Sequence, residues 1–182
     1  MRLKPGSYLI LGMLDAGFET GYEIKQSVDR STRFFWAASL AQVYPELAAL
    51  ENDGYVNSAD QPRGKRPRKT YTLTTKGRTA LEDWLRSDRA PDFEFRDEGL
   101  LKLFFADAIP AEDALALVRR LRAGAEEIDQ HFRDVILPRA GATSQRFRQL
   151  VAREGADYYA WRASWLRQIE AELSDEPEPR PT

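Results

Sequence analysis

The sequence contains no cysteine and a single histidine, His131, among its 182 residues. The lack of cysteine excludes disulfides, cysteine-ligated zinc and a cysteine nucleophile, and one histidine leaves little for a histidine metal site or a catalytic triad. No apolar run approaches the roughly 20 residues of a membrane span, and no apolar stretch with a cleavage site follows the charged N-terminus. We therefore expect a soluble, cytoplasmic protein with no metal and no cofactor.

Catalytic patterns are missing as well. Carboxylates such as Glu126 and Glu127 are neighbours in sequence, so a helix points them in different directions and they cannot act as an acid–base pair. The chain has no glycine-rich phosphate loop and no nucleophile elbow. Because 42% of the residues are hydrophobic and 11% aromatic, it can form real cores. The sequence predicts a folded protein that is not an enzyme.

Positive charge is concentrated in one segment, although the formal net charge is only −2. Between residues 60 and 78, one acidic residue is accompanied by seven basic ones: Arg63, Lys65, Arg66, Arg68, Lys69, Lys76 and Arg78. A local basic cluster indicates a polyanionic partner more directly than overall charge does.

The first half of the chain predicts three short helices, at about residues 5–16, 20–30 and 39–52. Thr20 with Glu23, and Ser39 with Gln42, have the spacing of capping boxes at the starts of the second and third helices. Pro45 leaves a second possibility open, in which the third helix starts at that proline, because proline is tolerated in a first turn.

A hairpin and a fourth helix follow. Short strands are predicted at 54–58 and 69–73, joined by an extended, exposed tip at 59–68 that contains two prolines and a glycine. The fourth helix, 76–86, should have Leu81, Trp84 and Leu85 on its inner face. Three short helices followed by a hairpin with a basic tip are typical of a winged helix-turn-helix, in which the third helix enters the major groove and the wing follows the phosphate backbone.

The second half is predicted to be helical throughout. Helices are expected at 97–107, at 111–137, ending at Pro138 and Gly141, and at about 144–173. The middle helix has a heptad-like apolar seam formed by Val118, Leu121, Ala125, Ile128, Phe132 and Val135. The predicted fold is thus mainly α with a small β-hairpin wing: a DNA-binding domain at 1–88, a hinge at 89–96, a helical dimerisation domain at 97–173 and a disordered tail at 174–182.

Three motifs occur in order in the first half: Gly21-Tyr22-Glu23-Ile24, Tyr44-Pro45-Glu46-Leu47, and Tyr71-Thr72-Leu73-Thr74 with Gly77. Together they resemble the N-terminal domain of PadR-type transcriptional regulators, and the second half resembles the virulence-activator-like domain of the larger members. The resemblance implies a homodimeric DNA binder, usually a repressor, that dimerises through its C-terminal helices and in some members responds to a small ligand. A small residue, often glycine, precedes the Tyr-Pro in the commoner pattern, whereas Ala41-Gln42-Val43 stands here.

The candidate DNA-binding residues come from the second helix, the start of the third and the wing. They are Lys25, Gln26, Ser39, Gln42, Tyr44, Arg63, Lys65, Arg66, Arg68 and Lys69. Gln42 either pairs with adenine or only caps the helix with Ser39. Tyr44 resembles the family tyrosine whose hydroxyl faces the DNA backbone, with burial as the alternative, and the basic tip is either a phosphate contact or a solvated run of charge.

The candidate dimer interface is apolar and aromatic. It consists of Val118, Leu121, Ile128, Phe132, Tyr158, Trp161, Trp165 and Ile169. The aromatic stripe Tyr158, Trp161 and Trp165 is either interface or the lining of an effector pocket, and His131 is read as structural or exposed.

The sequence therefore predicts a transcriptional regulator that acts as a repressor, binds a pseudo-palindromic operator in double-stranded DNA as a homodimer and is released by a small-molecule effector. Two alternatives remain. A MarR-like regulator would need a dimerising helix before the first DNA-binding helix, whereas here the pattern starts at Pro5. A protein-interaction module with a degenerate wing would not bind DNA.

Overall fold

The computed structural model describes residues 3–63, 66–91, 93, 95–142 and 144–175, without the side chains of 62, 63, 66 and 67. It consists of two compact units, Met1–Pro91 and Asp92–Thr182. Among the described residues, no helix combines the length and apolar character needed to cross a bilayer.

The N-terminal unit begins with three helices, as predicted: α1 (Pro5–Asp15), α2 (Gly21–Arg30) and α3 (Leu40–Asn52). Gly17 has a φ of +92°, a left-handed conformation that favours glycine, and it directs the chain away from the end of α1. The capping box of α2 is present. The Glu23 N–H donates to the Thr20 hydroxyl at 3.2 Å, and the Glu23 carboxylate accepts from the Thr20 N–H at 3.1 Å.

Helix α3 begins at Leu40, so the alternative start at Pro45 is wrong. The Ser39 N–H donates to Gln42 Oε1 at 2.9 Å, which satisfies a backbone donor at the helix start. Proline costs a helix one N–H donor, the one that would reach the carbonyl of Ala41. Because Ala41 is in the exposed first turn, solvent can satisfy that carbonyl and the helix continues through the proline.

The wing is longer than predicted. Strands β1 (Val56–Arg63) and β2 (Arg66–Leu73) pair antiparallel from Val56↔Leu73 to Arg63↔Arg66, so most of the predicted extended tip is part of the ladder. The two prolines lie opposite each other, at Pro62↔Pro67. They are compatible with the ladder because residues of a non-hydrogen-bonded pair direct their N–H groups away from the partner strand. Gly64 and Lys65 lie outside the described residues.

The core of this unit is formed by α1, α2, α3, the hairpin and α4 (Thr75–Arg86). The Thr74 hydroxyl caps α4 by accepting from the Gly77 N–H at 3.0 Å. Leu81 is buried as predicted, but the prediction is wrong for Leu85, which is exposed. Trp84 is only partly covered, by stacking on Tyr8 with ring centroids 4.6 Å apart.

The C-terminal unit is helical: α5 (Glu98–Phe104), α6 (Ala111–His131), α7 (Leu137–Gly141) and α8 (Arg146–Asp175). Helix α5 is shorter than predicted and is followed by a 3₁₀ turn, Ala106–Ala108. A π-helical segment, Phe132–Ile136, joins α6 directly to α7. Pro138 therefore does not end the helical path as predicted, because the π segment precedes it and changes the hydrogen-bond pattern before the first turn of α7, in which the proline lies.

Helices α6 and α8 pack against each other around Val118, Ala125, Ala163 and Leu166. Arg162 is buried in this unit and pairs with Asp97, Nη2 to Oδ2 at 2.6 Å. Asp97 also caps α5 by accepting from the Leu100 N–H at 2.9 Å, so this one carboxylate ties α5 to α8. The predicted disordered tail starts too early: residues 174 and 175 belong to α8, and 176–182 lie outside the described residues.

Candidate nucleic-acid interface

Helix α3 presents a polar face at its N-terminal end. Val43, Leu47 and Leu50 point into the core, which leaves Ser39 and Gln42 exposed. Gln42 Oε1 accepts from the Ser39 N–H and, at 3.1 Å, from the Ser39 hydroxyl. The capping role of Gln42 is thus observed in this structure, while its amide Nε2 has no partner among the described residues and keeps its two donors for another acceptor.

Tyr44 is held in place without being buried. Its ring lies against Gly21 at the start of α2, so close that a Cβ at Gly21 would be 2.7 Å from the Tyr44 Cε1. The tyrosine remains 47% exposed, and its hydroxyl makes no hydrogen bond to the described residues. The side chain is therefore fixed by a close approach of two helices and has a free donor at its tip.

The two candidates on α2 already have partners within that helix. Lys25 forms an ion pair with Asp29, and Gln26 Nε2 donates to the Tyr22 hydroxyl at 2.9 Å. Both side chains are half-buried. A phosphate contact from Lys25 would have to compete with its own aspartate.

Arg68 and Lys69 connect the base of the wing to the helices. Arg68 pairs with Glu23 of α2, and Lys69 Nζ lies 2.7 Å from Glu51 Oε2 of α3. The Tyr71 N–H donates to the Glu19 carbonyl at 2.7 Å, which adds a backbone link between β2 and the segment before α2. These contacts fix the direction in which the wing leaves the helix-turn-helix.

The same contacts change the titration of the two glutamates. Partial burial acts to raise the pKa of Glu23, but hydrogen bonds from the Glu19 N–H and from Arg68 outweigh it and hold the pKa below its ordinary value. Hydrogen bonds from Lys69 and from the Ser58 hydroxyl lower the pKa of Glu51. The hydrogen bond to Glu51 in turn raises the pKa of Lys69. Both carboxylates remain charged at neutral pH, so the ion pairs of the wing base are intact there.

The wing tip is described by its backbone alone. Arg63 and Arg66 end the two strands opposite each other, and their side chains, like the whole of Lys65, lie outside the described residues. The register places Arg63 and Arg66 as the last described pair of the hairpin, next to its turn. Along β2, this pair lies closer to the turn than Arg68 and Lys69, which are neutralised by carboxylates.

The candidate dimer residues divide into two groups. Val118 and Phe132 are buried by their own chain, where a partner cannot reach them without repacking. Leu121, Ile128, Tyr158, Trp165 and Ile169 are half-buried, and Trp161 is 58% exposed. Tyr158, Trp161 and Trp165 form one continuous stripe on α8, with successive ring centroids 5.9 and 6.2 Å apart. His131, the last residue of α6, is exposed.

Two contributions to this surface were missed from the sequence. Gly21 was read only as part of a motif, and Glu23 and Glu51 were not paired with the wing. The partners Arg68 and Glu23 are 45 residues apart, and Lys69 and Glu51 are 18 apart. No periodicity or local motif reports such a pair.

An exposed face on the third helix beside a basic hairpin defines a winged helix-turn-helix protein. Residues 10–83 match the family model described as the transcriptional regulator PadR-like family, and residues 95–174 match virulence activator alpha C-term. The chain thus contains a PadR-like family domain in its first half and a virulence activator alpha C-term domain in its second half. The resemblance seen in the sequence is thereby confirmed, and a transcriptional regulator is not a class of enzyme.

Two curated relatives support this assignment. The chain is 34% identical over 113 residues to the negative transcriptional regulator PadR of Bacillus subtilis, covering 62% of each chain. It is 32% identical over 85 residues to a probable transcriptional regulator of Mycobacterium tuberculosis, covering 46% of this chain and 45% of that one. The matches thus span less than two thirds of these relatives.

Solved structures are similar over nearly the whole chain. Bacillus subtilis PadR in complex with operator DNA has a TM-score of 0.85 and 26% identity, covering 95% of this chain and 99% of that one. The same protein in complex with p-coumaric acid has a TM-score of 0.74 and 25% identity, covering 96% and 99%. The Vibrio cholerae virulence activator AphA has a TM-score of 0.69 and 26% identity, covering 92% and 98%. The predicted fold class, mainly α with a hairpin wing, is confirmed.

Proposed function

We propose that this protein is a cytoplasmic transcriptional repressor that binds a pseudo-palindromic operator as a homodimer. The observation that carries the proposal is the exposed start of α3 beside a wing whose base is ion-paired to both α2 and α3. Such a wing has a defined direction, so its basic tip can follow the phosphate backbone while α3 lies in the major groove. The likeness to a PadR–operator complex, and the name of that relative as a negative regulator, support repression.

In this proposal the residues of the interface have separate roles. Gln42 Nε2 and the Ser39 hydroxyl contact base edges, and the Tyr44 hydroxyl contacts a phosphate. Arg63, Lys65 and Arg66 are the phosphate contacts of the wing tip. Arg68 and Lys69 orient the wing and reach DNA only by exchanging their glutamates for phosphates, and Lys25 and Gln26 add to the backbone contact at the second helix.

The helical unit serves dimerisation. Residues 1–88 bind DNA, 89–96 form the hinge and 97–173 pair two protomers. Trp161, with the accessible parts of Tyr158, Trp165, Ile169, Leu121 and Ile128, contributes the contact surface, while Val118 and Phe132 hold α6 and α8 together. We expect Trp161→Ala to weaken the dimer in sedimentation equilibrium while the far-ultraviolet circular dichroism spectrum stays unchanged, because an exposed side chain contributes little to the protomer core.

A small-molecule effector releases the operator in this proposal. The p-coumaric acid complex of a relative supports a ligand-responsive mode. Such a ligand acts by stabilising one dimer geometry over another, which changes the distance between the α3 helices of the two protomers. A shallow, open groove beside the aromatic stripe on α8 is lined by Leu150, Arg153, Glu154, Asp157, Tyr158 and Trp161, and it is a candidate for either the partner helix or a ligand.

The test is footprinting on the DNA upstream of the protein's own gene at two salt concentrations. We expect a protected palindrome and an affinity that falls steeply with salt. The variant Arg63→Ala/Lys65→Ala/Arg66→Ala should reduce the slope of log K against log salt by up to about 2.7, since each lost phosphate contact removes roughly 0.9.

A matched control removes the same charge elsewhere, through Lys102→Ala/Arg139→Ala/Arg148→Ala, three exposed residues of the helical unit. It should keep the slope of the unmodified protein. Absence of binding to any genomic fragment would overturn the proposal in favour of a protein partner. A wing variant with an unchanged slope would overturn the role of the wing tip.

A further inference from the structure

The connection between α2 and α3 forms a compact turn with exposed aromatic side chains. Residues Thr32–Phe34 make one 3₁₀ turn. The Trp36 N–H donates to the Thr32 carbonyl at 2.6 Å, and the Thr32 hydroxyl donates to the Trp36 carbonyl at 3.1 Å. This turn leaves Phe35 61% exposed and Trp36 41% exposed, so two large rings contribute little to the core.

Two arginines in or next to this turn have no carboxylate partner among the described residues. Arg30, the last residue of α2, and Arg33 are both exposed, and neither forms an ion pair with any of the residues described for the chain. The Arg33 guanidinium lies 5.2 Å from the centre of the Phe34 ring, a cation–π contact that orients the side chain and leaves its charge uncompensated.

Other cations of the same unit are already neutralised. Lys25, Arg68, Lys69, Arg78 and Arg86 each pair with an aspartate or a glutamate. An approaching phosphate must displace a carboxylate from each of these, but not from Arg30 or Arg33. Binding a phosphate to the guanidinium groups of Arg30 and Arg33 therefore costs less free energy, because no carboxylate among the described residues has to be displaced.

The position of this turn makes it continuous with the start of α3. On α2, the exposed Tyr22, the half-buried Gln26 and the exposed Arg30 recur every four residues along one side, opposite the buried Ile24 and Val28. The turn then runs directly into Ser39, the residue that precedes α3. Basic and aromatic side chains thus border the helix end that enters the groove.

Resting on the DNA binding proposed above, we infer that residues 30–36 form a second phosphate-binding surface, separate from the wing. The guanidinium groups of Arg30 and Arg33 bind phosphates at the edge of the groove that α3 enters. The rings of Phe35 and Trp36 cover the neighbouring deoxyribose and exclude water from these ion pairs, which strengthens them. The surface contributes affinity and positions α3, and it does not select a base sequence.

The test uses the full-length protein with Arg30→Ala/Arg33→Ala. The slope of log K against log salt should fall by about 1.8, so that the affinity ratio between 50 and 200 mM salt shrinks about 12-fold. The control Arg78→Ala/Arg86→Ala removes two exposed, carboxylate-paired arginines of the same unit and should leave the slope unchanged. Phosphate-ethylation interference should lose signals at the groove edge with the first variant and keep those of the wing.

A third variant separates the rings from the charges. Phe35→Ala/Trp36→Ala changes no charge, so it should lower the affinity by the same factor at both salt concentrations. An unmodified protein that binds no DNA would defeat the proposed function itself. An unmodified protein with a steep salt slope that the Arg30→Ala/Arg33→Ala variant retains, or a uniform loss of affinity in that variant, would overturn this inference alone.

Discussion

Adding one methyl group at Gly21 should separate DNA binding from folding. Gly21 is the first residue of α2, and a Cβ there would lie 2.7 Å from Cε1 of Tyr44 and 3.1 Å from its Cδ1 and Cζ. Ordinary carbon–carbon contacts are about 3.5–4.0 Å, so Gly21→Ala requires the ring to move by roughly 1 Å. Tyr44 is half exposed and can move towards solvent without disturbing the core.

The expected magnitudes differ for stability and for binding. Alanine is favoured over glycine in a helix by roughly 0.5–1 kcal/mol, which offsets the lost ring contact, so the free energy of unfolding should stay within about 1 kcal/mol of the original. A hydrogen bond from the Tyr44 hydroxyl to a charged phosphate contributes about 1.5–3 kcal/mol. Losing it should reduce operator affinity roughly tenfold to a hundredfold.

The assay combines fluorescence anisotropy on operator DNA with denaturant unfolding for Gly21→Ala, Tyr44→Phe and the double variant. Because both changes remove the same hydroxyl contact, their effects on affinity should be far from additive. Gly12→Ala is the matched control: a Cβ at Gly12, inside α1, has no neighbour within 4 Å, so stability should rise slightly and affinity should not change. Full affinity in Gly21→Ala, or additive losses in the double variant, would refute the reasoning.

Three further predictions concern stability. Gly77→Ala should lower the free energy of unfolding by about 3 kcal/mol in denaturant titration, because its Cβ would lie 2.1 Å from a backbone oxygen that cannot move aside; unchanged stability would contradict the packing. Asp97→Ala should cost about 3 kcal/mol or more by leaving the buried Arg162 unpaired. Adding Arg162→Met to Asp97→Ala should restore part of the lost unfolding free energy. If it restores none, the unpaired charge of Arg162 is not the cause of the loss. The lowered pKa of Glu51 stabilises the fold above pH about 4.5, and this stabilisation is lost as pH falls through the lowered pKa. The unfolding free energy should therefore fall more steeply in acid for the unmodified protein than for Glu51→Gln, and equal slopes would show that the wing contact adds nothing.

Features that depend on neighbours along the chain could be predicted from the sequence. The capping box of α2 joins residues three apart, and Pro5 in the first turn of α1 acts within one helix. The buried faces of α3 and α6 follow from apolar spacing. These short-range patterns predicted the winged helix-turn-helix and the helices that follow it. The order of the three motifs indicated the resemblance to PadR-type regulators.

The sequence did not predict where the β-ladder of the wing ends, or that the helical path from α6 to α7 continues past a proline. The β-ladder continues past Pro62 and Pro67 because each proline meets the other at a position that needs no N–H. The path from α6 to α7 survives Pro138 because a π segment precedes it. In both cases a residue that normally ends an element is accommodated by the geometry of its partner or of the preceding turn.

By itself, the sequence determined the order of elements, the basic wing and the family, because these follow from short-range spacing and composition. Only the tertiary structure decided which charges are neutralised and which are free. Glu23 and Glu51 compensate Arg68 and Lys69, whereas Arg30 and Arg33 have no carboxylate within the described chain. The close approach of Gly21 to the Tyr44 ring is likewise decided only by the tertiary structure. Each of these features brings together groups from different elements, and their distance in space is set by how the helices and the hairpin pack, which no local pattern in the sequence encodes.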